Sequence, residues 1–231
     1  MTQTATQTQQ RTVRVWDPWV RISHWLTAGA FFGAYFITED NLPVHVWLGY
    51  LIGALLLVRI VWGFVGTEHA RFRDFLFGPR RILAYLGDLL GGHPRRYLGH
   101  NPAGAAMIYL LLIGLAGTTV TGLQVYAAEE KAGPLAGWYA GAGLIQWPTA
   151  HANGYEEEEE EEDGHEAAEE HEESEEAEAL EEWHEFFANA TLALVGLHVL
   201  GVIVSSRLHR ENLPRAMITG RKAPVKEDDK A

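Results

Sequence analysis

Long apolar runs alternate along this chain with shorter stretches rich in Arg, Gly and Pro. Four runs reach the ~20 residues that a helix rising ~1.5 Å per residue needs to cross a bilayer. They are residues 19–37 ("WVRISHWLTAGAFFGAYFI"), 44–65 ("VHVWLGYLIGALLLVRIVWGFV"), 103–127 ("AGAAMIYLLLIGLAGTTVTGLQVYA") and 184–206 ("HEFFANATLALVGLHVLGVIVSS"). None shows the polar stripe of a surface helix in a soluble bundle, and their Gly and Ala content suits close helix contact in lipid. The pattern therefore predicts an all-α integral membrane four-helix bundle.

The polar positions inside those runs are mostly histidines, and their spacing is ordered. His184 and His198 stand 14 residues apart, which turns a helix by ~1400°, within ~40° of whole turns, and advances it by ~21 Å. Both imidazoles are thus expected on one helix face at two depths. His24 lies just inside the start of the first run, at the depth of His198; His45 opens the second run from the other side, at the depth of His184. A single buried histidine is readily explained by a hydrogen bond to a carbonyl. Four at two matched depths form two facing pairs, His24 with His198 and His45 with His184, and a facing imidazole pair is the ligand set of a six-coordinate b-type haem. Intramembrane ionisable groups of this kind are costly and usually functional. Arg21 and Arg59 lie near helix ends, where each either snorkels to the headgroups or pairs with a haem propionate; spacing leaves both readings open.

Charge fixes the expected orientation. Arg11, Arg14 and Arg21 stand before or at the start of the first run, six arginines from Arg71 to Arg96 fill the connection between the second and third, and Arg207, Arg210, Arg215, Arg221 and Lys222 follow the fourth. By the positive-inside bias, both termini are expected in the cytoplasm of a bacterial inner membrane. All eight tryptophans fall near run ends, as an interfacial aromatic belt requires. The N-terminus is Thr/Gln-rich without a signal-like apolar core and is read as a disordered lead-in.

Residues 155–185 carry 19 acidic residues and no Lys or Arg, so the formal −13 divides into −19 there and +6 elsewhere. Self-repulsion and the scarcity of apolar side chains predict a solvated external loop, largely disordered or marginally helical. The chain has no cysteine, which excludes disulfides, iron–sulfur clusters and covalent haem attachment. The expected divisions are 1–15 as lead-in, 16–127 with helices 1–3, 128–183 as the acidic loop, 184–215 with helix 4, and 216–231 as a cytoplasmic tail. His69, His93, His100 and His209 read as ordinary turn or surface histidines. His151, His165 and His171, among the glutamates, support an alternative class, a membrane metal-handling protein whose loop gathers a cation such as zinc for the intramembrane histidines.

The stretches "WDPWVRISHW", "VHVWLGY" with "LLLVRIVWGFVG", "ARFRDFLFGPRRILAYL" with "RYLGHNPAGAAMI", and "EEWHE" followed by "LHVLG" resemble the bacterial cytochrome b561 family, which includes the b-type subunits of nickel–iron hydrogenases. The likeness covers residues 15–127 and 181–215. It implies two non-covalent b haems with iron ligands at His24, His45, His184 and His198. It also implies electron transfer between the membrane quinone pool and a redox protein, within a homodimer or larger respiratory complex. The external partner is expected to be a c-type cytochrome or a hydrogenase- or dehydrogenase-like complex; no nucleic acid is implied. The glutamate run departs from the family pattern. It would either steer a basic cytochrome or act as a spacer.

Overall fold

The computed structural model describes residues 12–37, 41–139 and 163–224, excepting the side chains of 138–139 and 163–176. In chain order the elements are β1 (Val13–Arg14), α1 (Pro18–Phe36), α2 (Leu42–Val65), a 3-10 turn (Phe72–Asp74), α3 (Pro79–Leu90), α4 (Pro102–Glu129), the single-turn α5 (Ala136–Tyr139), α6 (Asp163–Leu208), α7 (Leu213–Thr219) and β2 (Arg221–Lys222).

Local chemistry sets where these helices begin. Proline stands in the first turn of α1, α2, α3, α4 and α7, where its fixed φ suits a helix and its missing N–H is not needed. Asp17, Asn101 and Asn212 accept the backbone N–H of Val20, Gly104 and Arg215 at 2.9, 2.7 and 2.8 Å, satisfying amides that the first turn leaves without a carbonyl.

Among the described residues three helices are long and apolar enough to cross a membrane: α2, α4 and the Ala177–Leu208 part of α6. The fourth expected crossing, α1, has 19 residues but is less apolar, because Arg21, Ser23, His24 and several Trp, Gly and Tyr replace Leu and Ile. Two further expectations change. The fourth helix begins at Asp163, well before His184. Glu, Ala and Leu propagate a helix well, and extending one already anchored in the membrane avoids the cost of nucleation. The connection between α2 and α4 is more than a basic loop, since it contains α3. Residues 1–11, 38–40, 140–162 and 225–231 lie outside the described residues, and with them most of the expected lead-in and part of the expected external loop and tail.

Neighbouring helices pack in the series α1 with α2, α2 with α4, and α4 with α6. Glycine brings α4 close to α6: a Cβ built on Gly114 would lie 2.5 Å from Thr191 Oγ1, the small-residue contact expected in lipid. No comparable packing joins α6 to α1 or α2. Across that gap lies an apolar layer of Ala30, Phe31, Ala34 and Ile52, flanked by Leu115, Leu192 and Val195, which separates the two ends of the bundle.

At the end that holds both described termini, β1 and β2 pair antiparallel, Val13 opposite Lys222. Residues 13–15 are therefore ordered rather than part of a structureless lead-in, and Val15 is buried. Lys222 Nζ donates to the carbonyls of Tyr97 and Leu98 at 3.4 and 3.1 Å and pairs with Glu211 at 3.6 Å. Arg96 pairs with the same Glu211 and donates to the carbonyls of Ala223 and Pro224. The segment after α6 thus straps the α3–α4 connection to the base of the bundle.

Asp17 joins α1 to the end of α2, for its second oxygen accepts Thr67 Oγ1 at 2.6 Å and Trp62 Nε1 at 3.2 Å. Burial would raise its pKa, but the hydrogen bonds from Thr67, Val20 and Trp62 outweigh that and hold it below the ordinary carboxylate value. A lowered folded pKa means stability that is complete above the unfolded value of ~3.9 and is lost as pH falls through the folded one. Asp17→Ala is expected to destabilise the protein by about 1–2 kcal/mol at neutral pH. Thermal unfolding in detergent measures it, with the gap to the parent chain closing in strong acid.

Candidate functional site

The histidines meet across the gap between α6 and the α1/α2 pair. His45 of α2 faces His184 of α6 with ring centroids 6.0 Å apart and an interplanar angle of 76°. His24 of α1 faces His198 of α6 at 6.4 Å and 55°. The helix rise from His184 to His198 separates the two tiers by ~21 Å. The sequence-derived partners are therefore the ones brought together. An imidazole nitrogen binds a transition metal at about 2 Å, and the ring centroid stands about 1 Å behind it. Two imidazoles sharing one metal therefore have centroids about 6 Å apart, and both pairs have that spacing.

By position alone, the tier far from the end holding both described termini is called outer and the other inner; the outer tier is braced. His45 Nδ1 lies 2.9 Å from the carbonyls of Ala34 and Ile37, at the C-terminal end of α1 where carbonyls lack helical partners. His184 Nδ1 lies 3.0 Å from the Thr118 carbonyl and 3.2 Å from Thr121 Oγ1. With Nδ1–H donating to a carbonyl, each ring is set in the tautomer whose Nε2 lone pair is available to a metal. Gly122 permits this approach, because a Cβ there would lie 2.8 Å from His184 Cε1. Beside the pair is a small cleft of ≈ 90 Å³, lined by both rings together with Phe31, Gly49, Tyr50 and Tyr126.

The inner tier is surrounded by unsatisfied donors. His24 Nδ1, Trp19 Nε1, Arg21 Nε and Arg59 Nη1 are buried without a hydrogen-bond partner among the described residues. Arg59 Cζ lies 5.2 Å from the centre of the Phe72 ring, and Arg21 packs over Gly220, whose added Cβ would stand 2.7 Å from its Nη1. A buried guanidinium nitrogen without a hydrogen-bond partner is costly, and a carboxylate-bearing cofactor would complete both. Arg59 follows His45 by the same 14 residues that separate the α6 histidines, so it faces the inner tier from the same side of α2 on which His45 faces the outer one.

His100, expected to be an ordinary turn histidine, is buried between Trp16 and Phe75 with ring centroids at 4.5 and 4.6 Å. Its Nδ1 has no partner among the described residues. Burial, reinforced by the positive charge of Arg59 and Lys222, pushes its pKa down to about 3 and keeps it neutral. Its only signal in the sequence is the short-range "GHNP" context ahead of α4. The histidines proposed for cation capture are not brought into view: His151 and the side chains of His165 and His171 lie outside the described residues. Among the described residues no group of three His, Asp or Glu is arranged to hold a metal ion.

Comparison with known proteins points to one family. A nickel–iron hydrogenase b-type cytochrome subunit of Azotobacter vinelandii is 30% identical over 164 residues, covering 56% of this chain and 68% of that protein. The like-named subunit of Azotobacter chroococcum is 32% identical, covering 52% and 61%, and that of Rhodobacter capsulatus 29% identical, covering 58% and 63%. The chain therefore spans about two thirds of the length of these relatives. No solved structure matches it. The family described as prokaryotic cytochrome b561 matches residues 15–220, a stretch holding all four facing histidines and both buried arginines, and the chain belongs to that family.

Proposed function

We propose that this chain is a di-haem b-type cytochrome that carries electrons across the bacterial inner membrane, between the quinone pool and an external redox partner. Membership of the family implies haem b and membrane electron transfer; two haems, the quinone and the topology are the finer reading. The observation that carries it is the pair of facing imidazoles at each of two depths, 6.0 and 6.4 Å apart.

Haem b, when bound, supplies reversible one-electron exchange at its iron. The residues supply the rest. His45 and His184 would hold the outer group, with the Ala34, Ile37 and Thr118 carbonyls drawing on Nδ1–H and raising the basicity of the ligand nitrogen. His24 and His198 would hold the inner one, and Arg21 and Arg59 would take its carboxylates. The layer of Phe31, Ile52, Leu115 and Leu192 keeps water from the space between the tiers. Quinone exchange is assigned to the inner end, where the neutral imidazole of His100 has a free position for a quinone or quinol oxygen.

The basic residues cluster at the end holding both described termini, which supports a cytoplasmic location for that end and leaves the glutamate-rich start of α6 outside. With α1 as the fourth crossing, the outer tier would exchange electrons with the external partner. The relatives are named as hydrogenase subunits, which supports a hydrogenase-like complex there; the acidic segment also suits a basic c-type cytochrome, whose association would weaken with salt.

His198→Ala is expected to remove about half of the dithionite-reduced haem b absorbance, and His184→Ala the other half. Gly122→Val, which crowds His184, should lower the same outer component as His184→Ala. In proteoliposomes, quinol should reduce the haem of the parent chain. Colourless protein that binds zinc would contradict the proposal and favour the metal-handling alternative; haem that quinol leaves oxidised would contradict its quinone part.

A further inference from the structure

The helix α3 (Pro79–Leu90) has a three-sided pattern that its packing in the bundle does not use up. At 100° per residue, Ile82, Tyr85 and Leu89 fall on one side. That side faces the protein: Tyr85 is buried, its ring meets Tyr97 at 5.8 Å, and α3 packs on α4. Leu83, Leu86 and Leu90 form the adjoining side and are 67%, 39% and 90% exposed. Arg80, Arg81, Ala84, Gly87 and Asp88 make up the third side, also exposed.

An exposed leucine edge beside an arginine-bearing face would be a liability in water. Here it belongs to a connection between two membrane-crossing helices, α2 and α4, so α3 lies at the level where those helices leave the membrane. The neighbouring α4 likewise exposes Leu110 and Ile113. The connection is basic, with Arg71, Arg73, Arg80, Arg81, Arg95 and Arg96 against Glu68, Asp74 and Asp88. Among the described residues Arg71 and Arg73 share Asp74 and Arg96 takes Glu211; no carboxylate pairs with Arg80 or Arg81. Arg81 Cζ instead stands 5.8 Å from the centre of the Phe77 ring.

We propose that α3 is an interfacial helix that binds anionic lipid. Leu83, Leu86 and Leu90 enter the acyl boundary, while Arg80 and Arg81 hold lipid phosphates at the headgroup level. The mean plane of such a helix lies along the membrane surface, with its apolar edge a few ångströms into the acyl region. Each arginine near an anionic surface adds attraction that salt screens. Because Tyr85 packs on Tyr97, and the Tyr97 carbonyl takes Lys222, this contact also seats the connection that leads to His100. The lipid contact itself does not depend on haem.

The chain has no cysteine, so single cysteines can be introduced and spin-labelled in the full-length protein. Labels at 83, 86 and 90 would be compared with labels at 84 and 88 on the arginine side and at 113 on α4. The host would be nanodiscs of phosphatidylcholine, alone or mixed equally with phosphatidylglycerol. Positions 83, 86 and 90 are expected to match 113, with a several-fold higher ratio of oxygen to nickel-chelate accessibility than 84 and 88. Phosphatidylglycerol should raise that ratio further, and the double variant Arg80→Gln/Arg81→Gln should abolish the increase. Chelate access at 83, 86 and 90 equal to that at 88 would overturn the lipid contact. Shielding from both reagents would overturn it in favour of a second copy or partner protein on that edge. An unchanged ratio with phosphatidylglycerol would overturn the anionic preference.

Discussion

Everything at the centre of this protein depends on the distance held between α6 and the α1/α2 pair at the two levels where imidazoles face each other. Four apolar helices left to themselves would close that gap, because dispersion favours contact. The bundle packs closely elsewhere, with Gly114 of α4 against Thr191 of α6. Across the gap the facing histidines instead stand about one shared coordination site apart, at 6.0 and 6.4 Å. The backbone fixes the spacing at the outer tier, through the end of α1 for His45 and through the body of α4 for His184. The spacing of the facing histidines is thus set there by hydrogen bonds to the backbone of neighbouring helices.

The two tiers differ in chemistry. The outer one is satisfied by carbonyls and a threonine hydroxyl, with tyrosines lining its cleft. The inner one gathers guanidinium groups and unpaired ring nitrogens against Trp16, Phe72 and Phe75. Buried positive charge favours the more negative, reduced state of a nearby redox centre. The inner group is therefore expected to hold its electron more tightly than the outer one. The strap formed by Glu211, Lys222 and Arg96 keeps that charged end folded, since Lys222 reaches the backbone of the segment that carries His100.

Much of this was legible in the sequence, for specific reasons. Runs of bilayer length gave the helix bounds to within a few residues at most ends, and a spacing of 14 residues sufficed to match His184 with His45 and His198 with His24. The same spacing relates His45 to Arg59 and would have placed that arginine at the inner tier. Helix α3 is too short and too rich in arginine to register as an apolar run, and its three-sided pattern has meaning only once its neighbours are known. The ordering of residues 13–15 depends on pairing with a strand two hundred residues away, and the burial of His100 depends on the strap. Neither is local. The acidic segment was legible as marginally helical at most, whereas where it joins the membrane it carries α6 back to Asp163, because Glu and Ala extend an existing helix readily.

The central claim is two haem sites in one chain, each completed by a pair of these histidines. Haem content by pyridine haemochrome, set against protein by quantitative amino-acid analysis, tests it most directly when joined to low-temperature EPR of the oxidised protein. The account predicts two haem b per chain and two distinct low-spin ferric signals with bis-imidazole character. One haem per chain, or a high-spin signal from a five-coordinate iron in fully loaded protein, would contradict it.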